Sequence, residues 1–253
     1  MIIRKSQAEI EKMARAGKVV RECLDILGKE VKPGITTGEL DSLAEKFIRS
    51  KGGVPTFKGY RGFPGSICTS PNDMVVHGIP GRVRLREGDI LGVDVGVTMG
   101  GYIADAAATY PVGEISEQAR ELLRVTEEAL WKGIAQCQIG NRVGDISHAV
   151  QTHAGAHGFS VVESMVGHGV GREMHEDPQV PNFGPPGQGP ELREGMVLAI
   201  EPMVNVGGCE VELGDDSWAI YTKDGSLSAH FEHTVAITKA GPRPLTATEV
   251  AGA

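Results

Sequence analysis

The stretch LREGDILGVD, residues 85–94, returns as LREGMVLAIE, residues 192–201, at an offset of 107. Five of the ten positions are identical and four more are chemically similar, among them Asp94 against Glu201. A weaker echo lies upstream, where GITTGELD (34–41) aligns with GNRVGDIS (140–147) at an offset of 106. Two matches at nearly one offset predict two structurally related halves. Two copies are too few for a solenoid, whose stacked units need three or more. The repeat therefore predicts a single domain over residues 1–253 with pseudo-twofold symmetry.

Each half reads helix, helix, strand, strand. IEKMARAGKVVRECLDILGKEV carries Ile10, Met13, Val20, Cys23, Leu24 and Leu27 at helical spacing. Thr36 or Thr37 can cap a second helix, TGELDSLAEKFIRSKGG, which ends on glycine. Ser116 opens SEQARELLRVTEEALWKGIAQC, and DISHAVQTHAGAHGF is its companion. DILGVDVGVT, GYIADAAATYPV, MVLAIEPMVNV and SAHFEHTVAIT are strand-like runs, and Asp224-Gly225 inside WAIYTKDGSLSAHFEH signals a hairpin. The Gly/Pro-rich run 180–195 reads as a loop. The class is α+β: an antiparallel sheet with helices packed on one face.

Composition narrows the function. The chain has 25 Lys+Arg against 33 Asp+Glu, a formal charge of −8, which argues against binding specific nucleic acid through phosphate charge. Neither a membrane-length apolar run nor a signal peptide is recognisable, which predicts a cytoplasmic protein without membrane attachment. Cys23, Cys68, Cys137 and Cys209 are widely spaced with no CxxC pair, so buried thiols are expected rather than disulfides or a zinc ribbon.

Three acids interrupt apolar strand runs: Asp94 in ILGVDVGV, Glu201 in VLAIEPMV and Glu232 in AHFEHTVAI. An unpaired buried carboxylate is costly or shifts its pKa, so three of them, two at equivalent repeat positions, need a shared cause. A turn centred between Met99 and Gly100 would set Asp94 directly opposite Asp105. Two such charges repel by about 4 kcal/mol at ~4 Å and an effective dielectric of ~20; a cation between them removes the conflict. Asp94, Asp105, Glu201 and Glu232 together balance two divalent ions, with oxygen-rich ligation suiting Mn, Fe(II), Co or Zn.

His168 lies between glycines in MVGHGVG, which allow close backbone approach and suit a ligand. His175 and His77 sit in turn-like segments and can transfer protons or polarise a carbonyl. His148, His153 and His157 share one predicted helix and read as structural, and His230 or His233 can support Glu232. GxGxxG, GxSxG and Walker A motifs are absent, and no thiol-protease signature surrounds Cys68.

MVGHGVGREMHEDPQVPNF, VVHGIP, VDVGVTMGGYIADAA, AIEPM and SAHFEHTVAIT stand in one order along nearly the whole chain, and together they resemble the short bacterial type I methionine aminopeptidases. The resemblance implies the pita-bread fold and two divalent ions (Co2+, Mn2+, Fe2+ or Zn2+). In that scheme Asp105 and Glu232 bridge both ions, Asp94 holds one, and His168 with Glu201 holds the other. It implies hydrolytic removal of the N-terminal methionine of nascent proteins, at the ribosome, when the second residue is small; a monomer is the default expectation. Binding of the free α-amine at the metals would limit cleavage to the first residue. Glu201 would shuttle the proton, His175 would bond the scissile carbonyl or its tetrahedral oxygen, and His77 would contact the peptide nitrogen. Tyr60, Phe63, Cys68, Met174 and Trp218 would form the methionine pocket, with surfaces suited to a thioether.

Four positions depart from the family pattern. Met174 replaces an aromatic residue, Phe63 a tyrosine, Ala106 a hydroxyl residue, and Gly96 a polar residue beside the first Asp. These change pocket shape and thin the support behind the ligands without removing any. Two alternatives share the scaffold. Xaa-Pro aminopeptidases and prolidases usually carry a further N-terminal domain, for which 253 residues leave no room. Non-catalytic binding proteins typically lose ligands that are all retained here.

Overall fold

The computed structural model describes residues 1–247. The first half runs through α1 (Gln7–Glu30), α2 (Thr37–Ser50), β1 (Val54–Pro55), β2 (Cys68–Pro71), β3 (Met74–Val76), β4 (Ile90–Met99) and β5 (Tyr102–Pro111). The second runs through α3 (Glu117–Ala135), α4 (Val143–Ala156), β6 (Ser160–Val161), β7 (Gly167–Gly169), β8 (Glu176–Val180), β9 (Val197–Ile200), β10 (Met203–Asn205), β11 (Val211–Leu213), β12 (Ile220–Thr222), β13 (Ser228–His230), β14 (His233–Thr238) and β15 (Gly241–Pro244). The pairings within the four sheets among the described residues are antiparallel.

The helices form where their caps and apolar faces dictate. In α2, Thr36 Oγ1 accepts from Glu39 N (3.2 Å) while the Thr36 N–H donates to Glu39 Oε2 (2.7 Å). Ser116 Oγ caps α3 by accepting from Ala119 N (3.1 Å). Ile10, Met13, Val20, Cys23, Leu24 and Leu27 of α1 are buried as their spacing predicts.

The repeat has a physical counterpart. Thr36 bridges Arg84 in the first half as Arg142 bridges Glu191 in the second. Gly34 N donates to Leu85 O (2.8 Å) as Gly140 N donates to Leu192 O (3.0 Å). Each LREG segment thus ties a helix start to a central strand, β4 or β9. These strands carry equivalent acids, Asp94 in the middle of β4 and Glu201 just past β9.

Strand alternation separates scaffold from site. Val93, Val95 and Val97 of β4 and Ala104 and Ala106 of β5 pack with Val20, Leu24 and Leu27 of α1. Asp94, Gly96 and Asp105 therefore face the other way. The hairpin register differs from the one expected. Asp94 pairs with Ala107, and Asp105 pairs with Gly96, because the turn is Gly100-Gly101 rather than one centred before Gly100. Both glycines have positive φ (58° and 78°), which a two-residue hairpin turn of this hand demands. The slip is two residues, so both carboxylates keep one face but meet diagonally.

Two strand expectations also change. The long runs around Glu201 and Glu232 are each broken in two: β9 and β14 pair in one sheet, and β10 and β13 in another. Glu201-Pro202 and Phe231-Glu232 lie opposite each other where this ribbon leaves one sheet for the next. Pro202 has no N–H for a ladder, and Phe231 N reaches Pro202 O at only 3.4 Å. Asp224-Gly225 does turn the chain, but β12 and β13 do not pair; β12 joins β11 and β3 instead.

Candidate metal centre and active site

A cavity of about 310 Å³ opens where these sheets meet. Asp94, Asp105, His168, Glu201 and Glu232 line it together with His77, His175, Tyr60, Phe63, Cys68, Met174 and Trp218. The structure thus brings every residue singled out from the sequence for the site into one space.

The four acids arrive by two routes. The β4–β5 hairpin delivers Asp94 and Asp105, and the ribbon break delivers Glu201 and Glu232. Thr234 Oγ1 donates to Asp105 Oδ1 (2.8 Å), and Glu232 is pinned by its N–H donating to Ala107 O (2.9 Å). Asn182 Nδ2 donates to Glu201 O (3.0 Å), which gives the irregular 180–195 run a definite task. His168 sits on β7, squeezed between β8 and β9. A side chain at Gly167 would strike the Ala199 carbonyl and one at Gly169 the Asp177 carbonyl, so the flanking glycines permit the close approach.

His168 Nδ1–H donates to Gly169 O (2.9 Å), which leaves Nε2 as the free lone pair. That nitrogen lies 3.7 Å from Asp105 Oδ2 and 3.5 Å from Glu201 Oε1. Ligand atoms of Asp105, His168 and Glu232 all fall within 4.8 Å of one another.

Electrostatics mark this place as unsatisfied by protein alone. Asp94 Oδ1 and Asp105 Oδ2 are buried without a hydrogen-bond partner. Burial, then the neighbouring Asp105 charge, pushes the Asp94 carboxyl well above the usual range. Burial and crowding with the other acids do the same to Glu201 and Glu232. Asp105 is raised by burial and partly relieved by His168 and Thr234. Four crowded carboxyls, two orphaned oxygens and one imidazole lone pair fit divalent cations of the borderline class.

The two other histidines stand at the cavity wall. His175 is exposed at one edge and stacks on Tyr60 (centroids 5.6 Å apart), with Tyr60 Oη 2.9 Å from Nδ1. Desolvation first, then nearby His168 and Arg61, lower its pKa to about 4. The pKa of His77 is lowered by desolvation, and its backbone is held at φ 62° directly after β3. The apolar end is formed by Phe63 edge-on to Trp218 (5.1 Å), with Cys68 and Met174 buried in the same cluster.

Sequence reading missed several contributors. Phe57, Arg61 and Met165 line the cavity, and Thr234 and Asn182 hold ligands from behind. Gly96 was expected to leave thin support behind Asp94; instead the Phe57 ring fills that place, 2.6 Å from where a Gly96 Cβ would stand. Gly96→Ala should therefore destabilise the chain by about 1–3 kcal/mol through overpacking. Thermal unfolding should show this as a drop of roughly 3–10 °C, with Phe57→Leu in the same chain restoring most of it. Of the two histidines beside Glu232, His230 stands next to the site without lining its cavity, its buried Nε2 3.9 Å from Glu201 Oε2. His233 is not: it bonds Thr246 Oγ1 (2.9 Å) and packs on Trp131.

Comparison with known proteins agrees with this geometry. The profile of metallopeptidase family M24 matches residues 11–239. The chain is 54% identical to a methionine aminopeptidase of Clostridium perfringens over 97% of this chain and 99% of that protein. It is 53% identical to methionine aminopeptidase 1 of Bacillus subtilis over 95% and 97% respectively. The crystal structure of a methionine aminopeptidase from Thermotoga maritima superposes with TM-score 0.97 at 47% identity, covering 98% of this chain and all of that one. The prolidase from Pyrococcus furiosus shares the fold alone (TM-score 0.78, 22% identity, 98% of this chain and 66% of that one). Such likenesses make the architecture the pita-bread fold. With the match running from Glu11 to Lys239 around a cavity of crowded carboxylates, the chain belongs to metallopeptidase family M24.

Proposed function

We propose that the chain is a metal-dependent methionyl aminopeptidase that removes the N-terminal methionine of newly made proteins whose second residue is small. The observation that carries this reading is the junction, in one cavity, of four crowded carboxylates and His168 with an apolar, sulfur-bearing end. Residues 1–253 act as one catalytic domain, because each half supplies ligands: Asp94 and Asp105 from the first, His168, Glu201 and Glu232 from the second.

Those five residues would hold two divalent ions, of Co2+, Mn2+, Fe2+ or Zn2+. What such ions supply when bound is Lewis acidity toward the scissile carbonyl and a lowered pKa for water. Glu201 would be both ligand and proton carrier: its carboxylate faces the same cavity as the other four ligands and can accept a proton there and pass it on. His175 is neutral at working pH because its pKa lies near 4. With the Tyr60 O–H donating to Nδ1, its own proton sits on Nε2 and can donate to the scissile carbonyl oxygen. His77, its pKa likewise lowered by desolvation, contacts the departing peptide nitrogen. Tyr60, Phe63, Cys68, Met174 and Trp218 receive the methionine side chain, where a flexible thioether gains from sulfur and aromatic surfaces.

No helix among the described residues is long and apolar enough to cross a membrane. We place the chain in the cytoplasm, as a monomer that meets nascent chains near the ribosome, where new N-terminal methionines emerge.

The test is release of free methionine from Met-Ala-Ser, beside an Ala-Pro-containing peptide, after chelator stripping and return of Co2+, Mn2+, Fe2+ or Zn2+. Metal-dependent cleavage of Met-Ala-Ser alone is expected. Cleavage of the proline peptide instead would transfer the chain to the prolidase branch, and inactivity of folded protein with every metal would sink the enzyme reading.

A further inference from the structure

We propose that Glu128, His153 and His157 form a second divalent-metal site, which clamps α3 to α4 outside the active-site cavity and takes an ion of the zinc class. None of the three lines the cavity. His153 lies in the last turn of α4 and His157, four residues on, is the residue that caps the helix C-terminus. Their rings lie 4.7 Å apart between centroids, and Glu128 of α3 brings its Oε2 to 3.0 Å from His153 Nε2. One nitrogen from each imidazole and one carboxylate oxygen all fall within 4.8 Å of one another.

The surrounding contacts leave this set available. Arg124 takes the other Glu128 oxygen, Oε1, at 2.6 Å, and so orients the carboxylate with Oε2 toward the imidazoles. His157 Nδ1–H donates to the His153 carbonyl oxygen (3.0 Å), so a neutral His157 carries its lone pair on Nε2. The same main-chain device fixes His168 in the active site. Ligand atoms around a four-coordinate zinc stand roughly 3.4 Å apart, given bonds of ~2.0–2.1 Å. The side chains here are half-buried or exposed, so small rotations close the difference.

Donor chemistry separates the two sites. Two imidazoles and one carboxylate suit Zn2+, Ni2+ or Cu2+, whereas the four-carboxylate centre accepts harder ions as well. Three protein ligands leave a fourth position for water.

The test is calorimetric titration of Zn2+ into the chelator-stripped full chain and its His157→Gln variant, with circular dichroism confirming the helices. The parent should bind one equivalent more than His157→Gln, while methionine release with Co2+ restored stays within about twofold. Asp105→Asn should show the reverse, losing active-site metal while keeping the helix-site equivalent. Equal stoichiometry in parent and His157→Gln would overturn the proposal. Should His157→Gln lose helical signal, Glu128→Gln takes its place with the same reading: one equivalent fewer supports the site, and no change removes it.

Discussion

Asp105→Asn is expected to abolish peptidase activity while making the metal-free protein more stable. Asp105 stands at the centre of the acid cluster: Oδ1 is held by Thr234 Oγ1 (2.8 Å), and Oδ2 is buried without a partner, 3.7 Å from His168 Nε2. Asparagine keeps the shape, and its carbonyl oxygen can still accept from Thr234. It removes one negative charge from a place where burial already raises the carboxyl pKa of Asp94, Glu201 and Glu232. Metal affinity should fall accordingly. If the bound ions contribute about 4 kcal/mol of transition-state stabilisation, their loss lowers kcat/KM by roughly 10³-fold at ~1.36 kcal/mol per tenfold. In chelated protein the same change relieves like-charge crowding, so the unfolding midpoint should rise by a few degrees. Methionine release with metal restored and thermal unfolding in chelator together check the pair. A variant keeping more than a tenth of parental activity would show that Asp105 is not a ligand. A destabilised metal-free variant would show that the cluster is not under electrostatic strain.

The same strain explains how far the sequence could be read. Carboxylates in apolar runs are visible because they break a rule that packing otherwise enforces, so Asp94, Glu201 and Glu232 stand out without coordinates. The repeat was legible for a related reason: each half needs the same backbone tie between its LREG segment and a helix start, as the Gly34–Leu85 and Gly140–Leu192 bonds show. Register was not legible at this precision. Whether a Gly-Gly pair or its neighbours makes the turn depends on twist matching between the strands, and two adjacent glycines offer several solutions. Breaks at Glu201-Pro202 and Phe231-Glu232 were missed because residues on both sides are good strand formers; only tertiary pairing decides where a ribbon changes sheets. Phe57, Asn182 and Thr234 carry no local mark, since a phenylalanine behind a glycine or an asparagine on a loop acquires its task from contacts distant in sequence. Polar function that violates local preference shows in sequence, whereas support for it hides among ordinary residues.

Chelated protein should lose stability as pH rises from 7 to 8, and metal should cancel that loss. Carboxyls of Asp94, Glu201 and Glu232 are pushed well above their usual range by burial and by one another, and Asp105 is raised as well. In the unfolded chain these groups ionise near pH ~4. Between that point and their folded midpoints the native state holds protons that the unfolded state has released, so unfolding becomes easier with rising pH. Below pH ~4 both states are protonated and the effect vanishes. Desolvated histidines act in the opposite sense: His230 near pKa 3, with His175 and His233 near 4, favour folding as pH climbs toward the ordinary histidine value of ~6.5. Between pH 7 and 8 the unfolded histidines lose their last protons and the unfolded thiols their first, two small contributions of opposite sign, so the acids dominate this window. Each proton still held costs about 1.4 kcal/mol per pH unit, or roughly 3–5 °C in unfolding midpoint for a chain of this size. Bound divalent ions need the carboxylates ionised, so the midpoint gain on adding Mn2+ or Co2+ should grow across the same window. Differential scanning calorimetry at pH 7.0, 7.5 and 8.0, with chelator and with metal, reads both slopes. A chelated midpoint that stays flat or climbs would mean that the four carboxyls are already ionised in the native state, and that the cluster tolerates its charge without metal.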